Sequence, residues 1–324
     1  MPRQKQRIGF PSERLSKRFP QKSLLKKSYG LMVIASLAIM LSACQQEQRP
    51  ETPEPAVPTV MVDSVWSADS VLIRYDVRGS GERALVFIHC WSCDQTYWEA
   101  QVEEFAEDYR VVTLDLAGHG ESGAEREVWT MAAYGADVAA VVEKLALPEI
   151  ILIGHSMGGT VMIEAARLLG DRVVALIGVD NLQDLKRELT EEQINGYLEY
   201  FAADFPTATY DYIMGLFPEN ADSALAERVS SHMAAAPEAI AVGSFDELFH
   251  YNYVTALREV RLPIRCINSD EFETNIVANN RVAASFAVKL MPGMGHFPHL
   301  VDPAGFNQLL HETIEEFWPR EVKP

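Results

Sequence analysis

The feature that most constrains this chain is Gly154-His155-Ser156-Met157-Gly158. It follows the run Glu149-Ile150-Ile151-Leu152-Ile153 and opens a helix-period stretch, Gly159 to Leu169, closed by Gly170 at a plausible C′ position. A strand reversing so abruptly into a helix needs small residues where the two approach. Gly154 and Gly158 carry no Cβ, and Ser156 between them is forced into a strained conformation. The turn lifts the Ser156 hydroxyl clear of the sheet, at a helix N-terminus whose free N–H groups favour developing negative charge. The Met157 N–H points the same way and predicts half of an oxyanion hole. A turn serine with no chemistry is the bland alternative, and the strand-to-helix setting argues against it.

The rest of the chain repeats that alternation. Short apolar runs at Ala84–Ile88, Arg110–Leu114, Val173–Val179, Ile264–Ile267 and Ala287–Met291 predict further strands, buried on both faces. Tyr134 to Leu145, with Val138, Val141, Val142 and Leu145 at helical spacing, predicts a helix between the early strands. Strands alternating with helices imply an α/β protein, a mostly parallel central sheet with helices on both faces. Between the fourth and fifth runs residues 182–261 exceed any simple crossover. Thr190-Glu191-Glu192-Gln193 is a capping box, and Ser223–Ala236 and Pro237–Tyr251 predict further helices. A helical cap over the ligand-binding ends of the strands follows. It holds 11 of the 25 Phe and Tyr residues, among them Tyr197, Phe201, Phe205, Phe217 and Phe249. These suit either an apolar acyl pocket under a lid or the cap's own core.

Gly154-His155-Ser156-Met157-Gly158-Gly159 and Asp115-Leu116-Ala117-Gly118-His119-Gly120-Glu121-Ser122 resemble the α/β-hydrolase family, a likeness covering nearly all of residues 65–320. The resemblance implies the α/β-hydrolase fold and a nucleophile, acid and histidine in that chain order. Met291-Pro292-Gly293-Met294-Gly295-His296-Phe297-Pro298 resembles the family's histidine loop and implies His296 as base, with His299 the competitor. Asp302-Pro303 then reads as an N-cap and Pro at N1 of the final helix. Asp270, after Asn268-Ser269, resembles the family's acid. Glu271 and Glu273 compete with it, and Asp180, after the preceding strand, is an alternative used by some lipases of this fold. The serine sets the chain apart from haloalkane dehalogenases and epoxide hydrolases of the same fold, which use Asp.

Phe87-Ile88-His89-Cys90-Trp91 resembles the family's His-Gly-X segment, which implies the backbone N–H of Trp91 as second oxyanion donor. Cys90 departs from the family's glycine; a positive φ there would strain it. Cys90 and Cys93 form C-x-x-C after a strand, a spacing also found in thioredoxin-like redox sites. An exported chain can oxidise such a pair, and a disulfide here would make activity redox-sensitive. Cys266 falls in a strand and reads as core.

The N-terminal segment is an address. Lys26 and Lys27 precede an apolar run, Leu31 to Leu41, too short to span a bilayer core of about 30 Å. Residues 1–43 read as a signal peptide, and Leu41-Ser42-Ala43-Cys44 resembles the lipobox of bacterial lipoproteins, which implies a lipidated Cys44 and export to the cell envelope. Residues 44–62, with prolines at 50, 53, 55 and 58, then form a flexible tether. The core is expected at 63–181 and 262–324. The whole chain has net charge −18; residues 1–43 hold nine Lys/Arg and one acid, which leaves a body of net −26. So acidic a body excludes a nucleic-acid partner. The expected activity is hydrolysis of an apolar ester or related small acyl substrate through an acyl-enzyme, with no metal or organic cofactor. Thioesterase, lactonase, peptidase, carbon–carbon hydrolase and cofactor-free haloperoxidase chemistry share the constellation. A lipid-anchored binding protein without catalysis is the alternative from another class.

Overall fold

The computed structural model describes residues 60–319; the expected signal peptide, Cys44 and most of the expected tether lie outside the described residues. Eight strands form one sheet: β1 (Met61–Trp66), β2 (Leu72–Arg78), β3 (Arg83–Ile88), β4 (Arg110–Leu114), β5 (Glu149–His155), β6 (Val173–Val179), β7 (Pro263–Asn268) and β8 (Ser285–Leu290). Their spatial order is β1-β2-β4-β3-β5-β6-β7-β8. The strands from β4 to β8 pair in parallel, and β2 joins them antiparallel, carrying β1 on its outer edge. This is the mostly parallel sheet that the apolar runs predict, with two additions. β1 and β2 went unread because neither runs continuously apolar: β2 is covered on one face and alternates, and β1 has no buried residue. In β2 only Ile73, Tyr75 and Val77 turn inward, with Arg74 and Asp76 between them. At the other edge β8 starts and ends slightly earlier than expected.

The central strands are apolar throughout because successive side chains enter different cores. Ile150 and Leu152 of β5 join one cluster, Ile151 and Ile153 the other. Helices α1 (Glu99–Phe105), α2 (Met131–Lys144) and α3 (Met157–Leu169) follow β3, β4 and β5. Val138, Val141 and Val142 of α2 pack with Val161 and Met162 of α3 on the first face. Phe105 of α1 lies on the second. Helices α4 (Glu191–Ala203), α5 (Phe205–Gly215), α6 (Ser223–Ala234), α7 (Glu238–His250) and α8 (Tyr253–Glu259) all fall between β6 and β7. The Thr190 side chain accepts from Gln193 N–H and Gln193 reaches back, the capping box expected for α4. Short α9 (Ile276–Asn279) and α10 (Pro298–Val301) precede α11 (Pro303–Ile314), capped by Asp302 and packed by Phe306, Leu310 and Ile314 against the second face.

One buried ion pair fixes the sheet's near side. Asp137 of α2 is fully buried, and accepts from Ser67 Oγ at 2.6 Å, Ala117 N at 3.2 Å and Arg126 at 2.5 Å. Burial raises the Asp137 carboxyl pKa, and the Arg126 bond opposes that rise. Removing one member of such a pair typically costs about 3–5 kcal/mol.

Candidate active site

Ser156 sits between β5 and α3 at φ 51° and ψ −118°, in the strained conformation that the tight turn imposes and the flanking glycines permit. A Cβ at Gly154 would collide with the Gly158 carbonyl, and one at Gly158 with the Ile88 carbonyl. Ile88 ends β3, so Gly158 is where the helix meets the loop carrying Cys90 and Trp91. The Ser156 N–H donates to Val179 O at 3.1 Å. Its immediate neighbours on both sides are buried, whereas Ser156 is partly exposed.

His296 lies on the expected loop, between Gly293 (φ 75°) and Gly295 (φ 63°) on one side and Phe297 on the other. Its backbone N–H donates to Leu216 O of the cap at 3.0 Å. Its Nδ1–H donates to Asp180 Oδ2 at 2.6 Å, which leaves Nε2 as the free ring nitrogen. The Asp180 side chain is 1% exposed and that of His296 is 18% exposed, so the pair is sealed on the acid side only. Burial acts to raise the Asp180 pKa, but the bonds from His296 and Ser269 outweigh it and hold the carboxyl below its usual value.

This placement corrects the expectation for the acid. Asp270 is exposed, and its Oδ1 accepts from Gly293 N at 2.8 Å instead of meeting the His296 ring. Glu271 and Glu273 are exposed as well. The reason is the register of β7. Asn268 ends the strand and exchanges bonds with Asn181, and Ser269 turns inward toward Asp180. Asp270 is the first residue free to turn outward.

His299, the competing histidine, is fully buried beside Trp98 and His155, with ring centroids 4.5 and 4.6 Å away. Burial pushes its pKa down to about 3. His155 was not singled out from the sequence. Its Nε2–H donates to the His296 carbonyl at 2.7 Å and ties the serine turn to the histidine loop. Asn181 was missed too; its amide donates to Gly154 O and Ser156 O at 2.8 and 3.2 Å. Neither role has a local signal, since both depend on segments far apart in the chain.

In the loop after β3, Cys90 and Cys93 form a disulfide, with both residues 2% exposed. The expected strain does not fall on Cys90: the positive φ belongs to Ser92, at 54°. His89 holds the loop from beneath. Its Nε2 accepts from Leu116 N at 3.0 Å and its Nδ1–H donates to Cys90 O at 2.8 Å. Burial lowers its pKa to about 3, so it stays neutral. The Trp91 indole enters the cap, donates to Ala241 O at 2.7 Å and packs against Phe201, Phe205 and Phe245. Phe201, Phe205 and Phe245 are themselves buried, so these aromatics form the cap's own core. Cys266 is buried in β7, where burial pushes its thiol pKa up. Among the described residues no group of three or more His, Cys, Asp or Glu side chains is placed to hold a metal ion.

A protein-family model described as the alpha/beta hydrolase family matches residues 85–309. The chain is 32% identical over 108 residues to the dihydrolipoyllysine-residue acetyltransferase component of the acetoin cleaving system of Cupriavidus necator, a match spanning 33% of this chain and only 29% of that protein. A longer match, 24% identical over 247 residues, covers 72% of this chain and 90% of the karrikin insensitive 2 receptor IA of Petunia hybrida. Among solved structures, a thermophilic esterase from Thermogutta terrifontis aligns with a TM-score of 0.69 at 22% identity, over 79% of this chain and 99% of that one.

Proposed function

The chain belongs to the alpha/beta hydrolase family, and from that premise we propose that it hydrolyses an ester or related acyl compound through a covalent acyl-enzyme. The observation that carries this reading is the 2.6 Å contact between Asp180 Oδ2 and His296 Nδ1, in a site whose serine stands at the strained strand–helix turn. Ser156 Oγ attacks the acyl carbon as His296 Nε2 takes its proton. Asp180 fixes the ring tautomer and stabilises the imidazolium that forms. The N–H groups of Met157 and Trp91 hold the oxyanion. The imidazolium returns its proton to the leaving group, and water attacks the acyl-enzyme by the same route in reverse. The acidic body favours neutral or cationic substrates over anionic ones.

Turnover of p-nitrophenyl esters of increasing chain length tests this reading. Ser156→Ala and His296→Ala are each expected to lower kcat by at least about a thousandfold, and an organophosphonate is expected to label Ser156. Activity that survives Ser156→Ala sinks the proposal. A second reading is supported by the long match to a receptor: a binding protein that keeps the scaffold without turnover. A folded protein that neither turns over esters nor takes the phosphonate would favour it.

A further inference from the structure

We propose that Ser269 is the positioning residue for the acid of this site, gripping one carboxylate oxygen of Asp180 so that the other stays aimed at His296. The inference rests on the serine-hydrolase reading above and adds a residue to it. The Asp180 side chain is 1% exposed, so protein groups must satisfy its oxygens. Oδ2 takes the proton of His296 Nδ1 at 2.6 Å. Oδ1 takes both donors of one residue: the Ser269 N–H at 2.8 Å and the Ser269 hydroxyl at 2.9 Å. Ser269 is fully buried.

The backbone around Asp180 needs such a grip. Asp180 has φ 43° and Leu182 φ 52°, a conformation that neither side chain favours. Three consecutive residues of the neighbouring strand end hold it in place. Ile267 O accepts from Asp180 N at 3.1 Å, the Asn268 side chain exchanges two bonds with the Asn181 backbone, and Ser269 takes the carboxylate. The loop after β7 was expected to supply the acid. It supplies two clamps instead: Ser269 on the acid, and Asp270 on Gly293 of the loop that carries the base. A serine that merely fills space has no reason to direct its hydroxyl at a carboxylate. Without that hydroxyl Asp180 keeps one donor on Oδ1, and its terminal torsion, intrinsically soft, can turn.

The test uses the full chain with Ser269→Ala, Ser269→Thr, which keeps the hydroxyl, and Ser269→Cys, nearly the same size but a weak donor. Two quantities are measured. One is the low-field proton NMR signal of the Nδ1–H shared with Asp180, identified by its loss in His296→Ala. The other is kcat and KM on the best p-nitrophenyl ester. Ser269→Ala and Ser269→Cys are expected to shift and broaden the signal and to lower kcat about tenfold with KM within about twofold; Ser269→Thr should restore both. If the alanine variant does not fold, the cysteine variant decides alone. An unmoved signal and unchanged kcat, with only a lower Tm, would show a space-filling residue and overturn the proposal. The signal reports the clamp even in a protein that turns over no ester, whereas failure of the phosphonate to label Ser156 speaks against the hydrolase reading.

Discussion

Asp180 and Asp270 each follow a strand of the same sheet, and both end on the histidine loop, but at different atoms. Asp180 meets the ring of His296 and Asp270 the backbone N–H of Gly293. That difference separates their expected effects. Asp180→Asn keeps the volume but presents an amide that favours the wrong imidazole tautomer, and kcat should fall by about a thousandfold to ten-thousandfold. Asp270→Asn keeps an oxygen to accept from Gly293, and kcat should stay within about threefold. The same ester assay reads both; equal losses would mean that the acid is misassigned.

At the scale of elements, four histidines among the described residues are buried, and two of them, His89 and His155, tie loops together through their rings. His89 follows β3, His119 lies in the loop after β4, His155 ends β5, and His299 lies in α10. Burial lowers all four pKa values, to about 3 for His89 and His299 and about 4 for His119, and well below the usual value for His155. A histidine kept neutral in the fold has no linked effect above the unfolded pKa of about 6.5. Below it the unfolded chain binds the proton first, so stability falls with pH until the folded value is reached. Each such histidine contributes a slope of up to about 1.4 kcal/mol per pH unit. Asp115, whose carboxyl burial raises to about 6, opposes the trend by taking up a proton in the fold. A difference measurement removes that overlap. Ser156 and His296 do not hydrogen bond to the His299 ring, whose two nitrogens have no protein partner. His299→Gln should therefore gain in Tm relative to the parent as pH falls from about 6.5 toward 4. A Tm difference constant over that window would contradict the assignment of His299 as a buried neutral group.

For the whole molecule, the charge is divided along the chain: the first 43 residues are basic and the rest strongly acidic. We propose that Cys44 is acylated and that the tether holds the hydrolase body at a membrane of the cell envelope. Expressed in a bacterial host, the chain should take up labelled palmitate and pellet with membranes, and Cys44→Ser should abolish both. Label retained in Cys44→Ser would refute acylation at that residue. Among the described residues no helix is long and apolar enough to cross a membrane.

The strand–turn–helix around Ser156 was legible because it is local: steric limits within a few residues demand glycine where it stands. The loop of His296 was legible through its resemblance to the family's histidine loop. The central strands were legible because burial on both faces leaves an unbroken apolar run. β1 and β2 were not, because β2 alternates around one covered face and β1 has no buried residue. The choice between Asp180 and Asp270 was not local at all. It turns on the parallel pairing of Val179 with Ile267, which sets the first residue beyond β6 beside Ser269 and pushes Asp270 outward. The sequence alone determined the fold class, the serine turn and the histidine loop. Only the tertiary structure decided which carboxylate meets the histidine, because that depends on the register between two strands separated by the entire cap, a contact that no short-range pattern encodes.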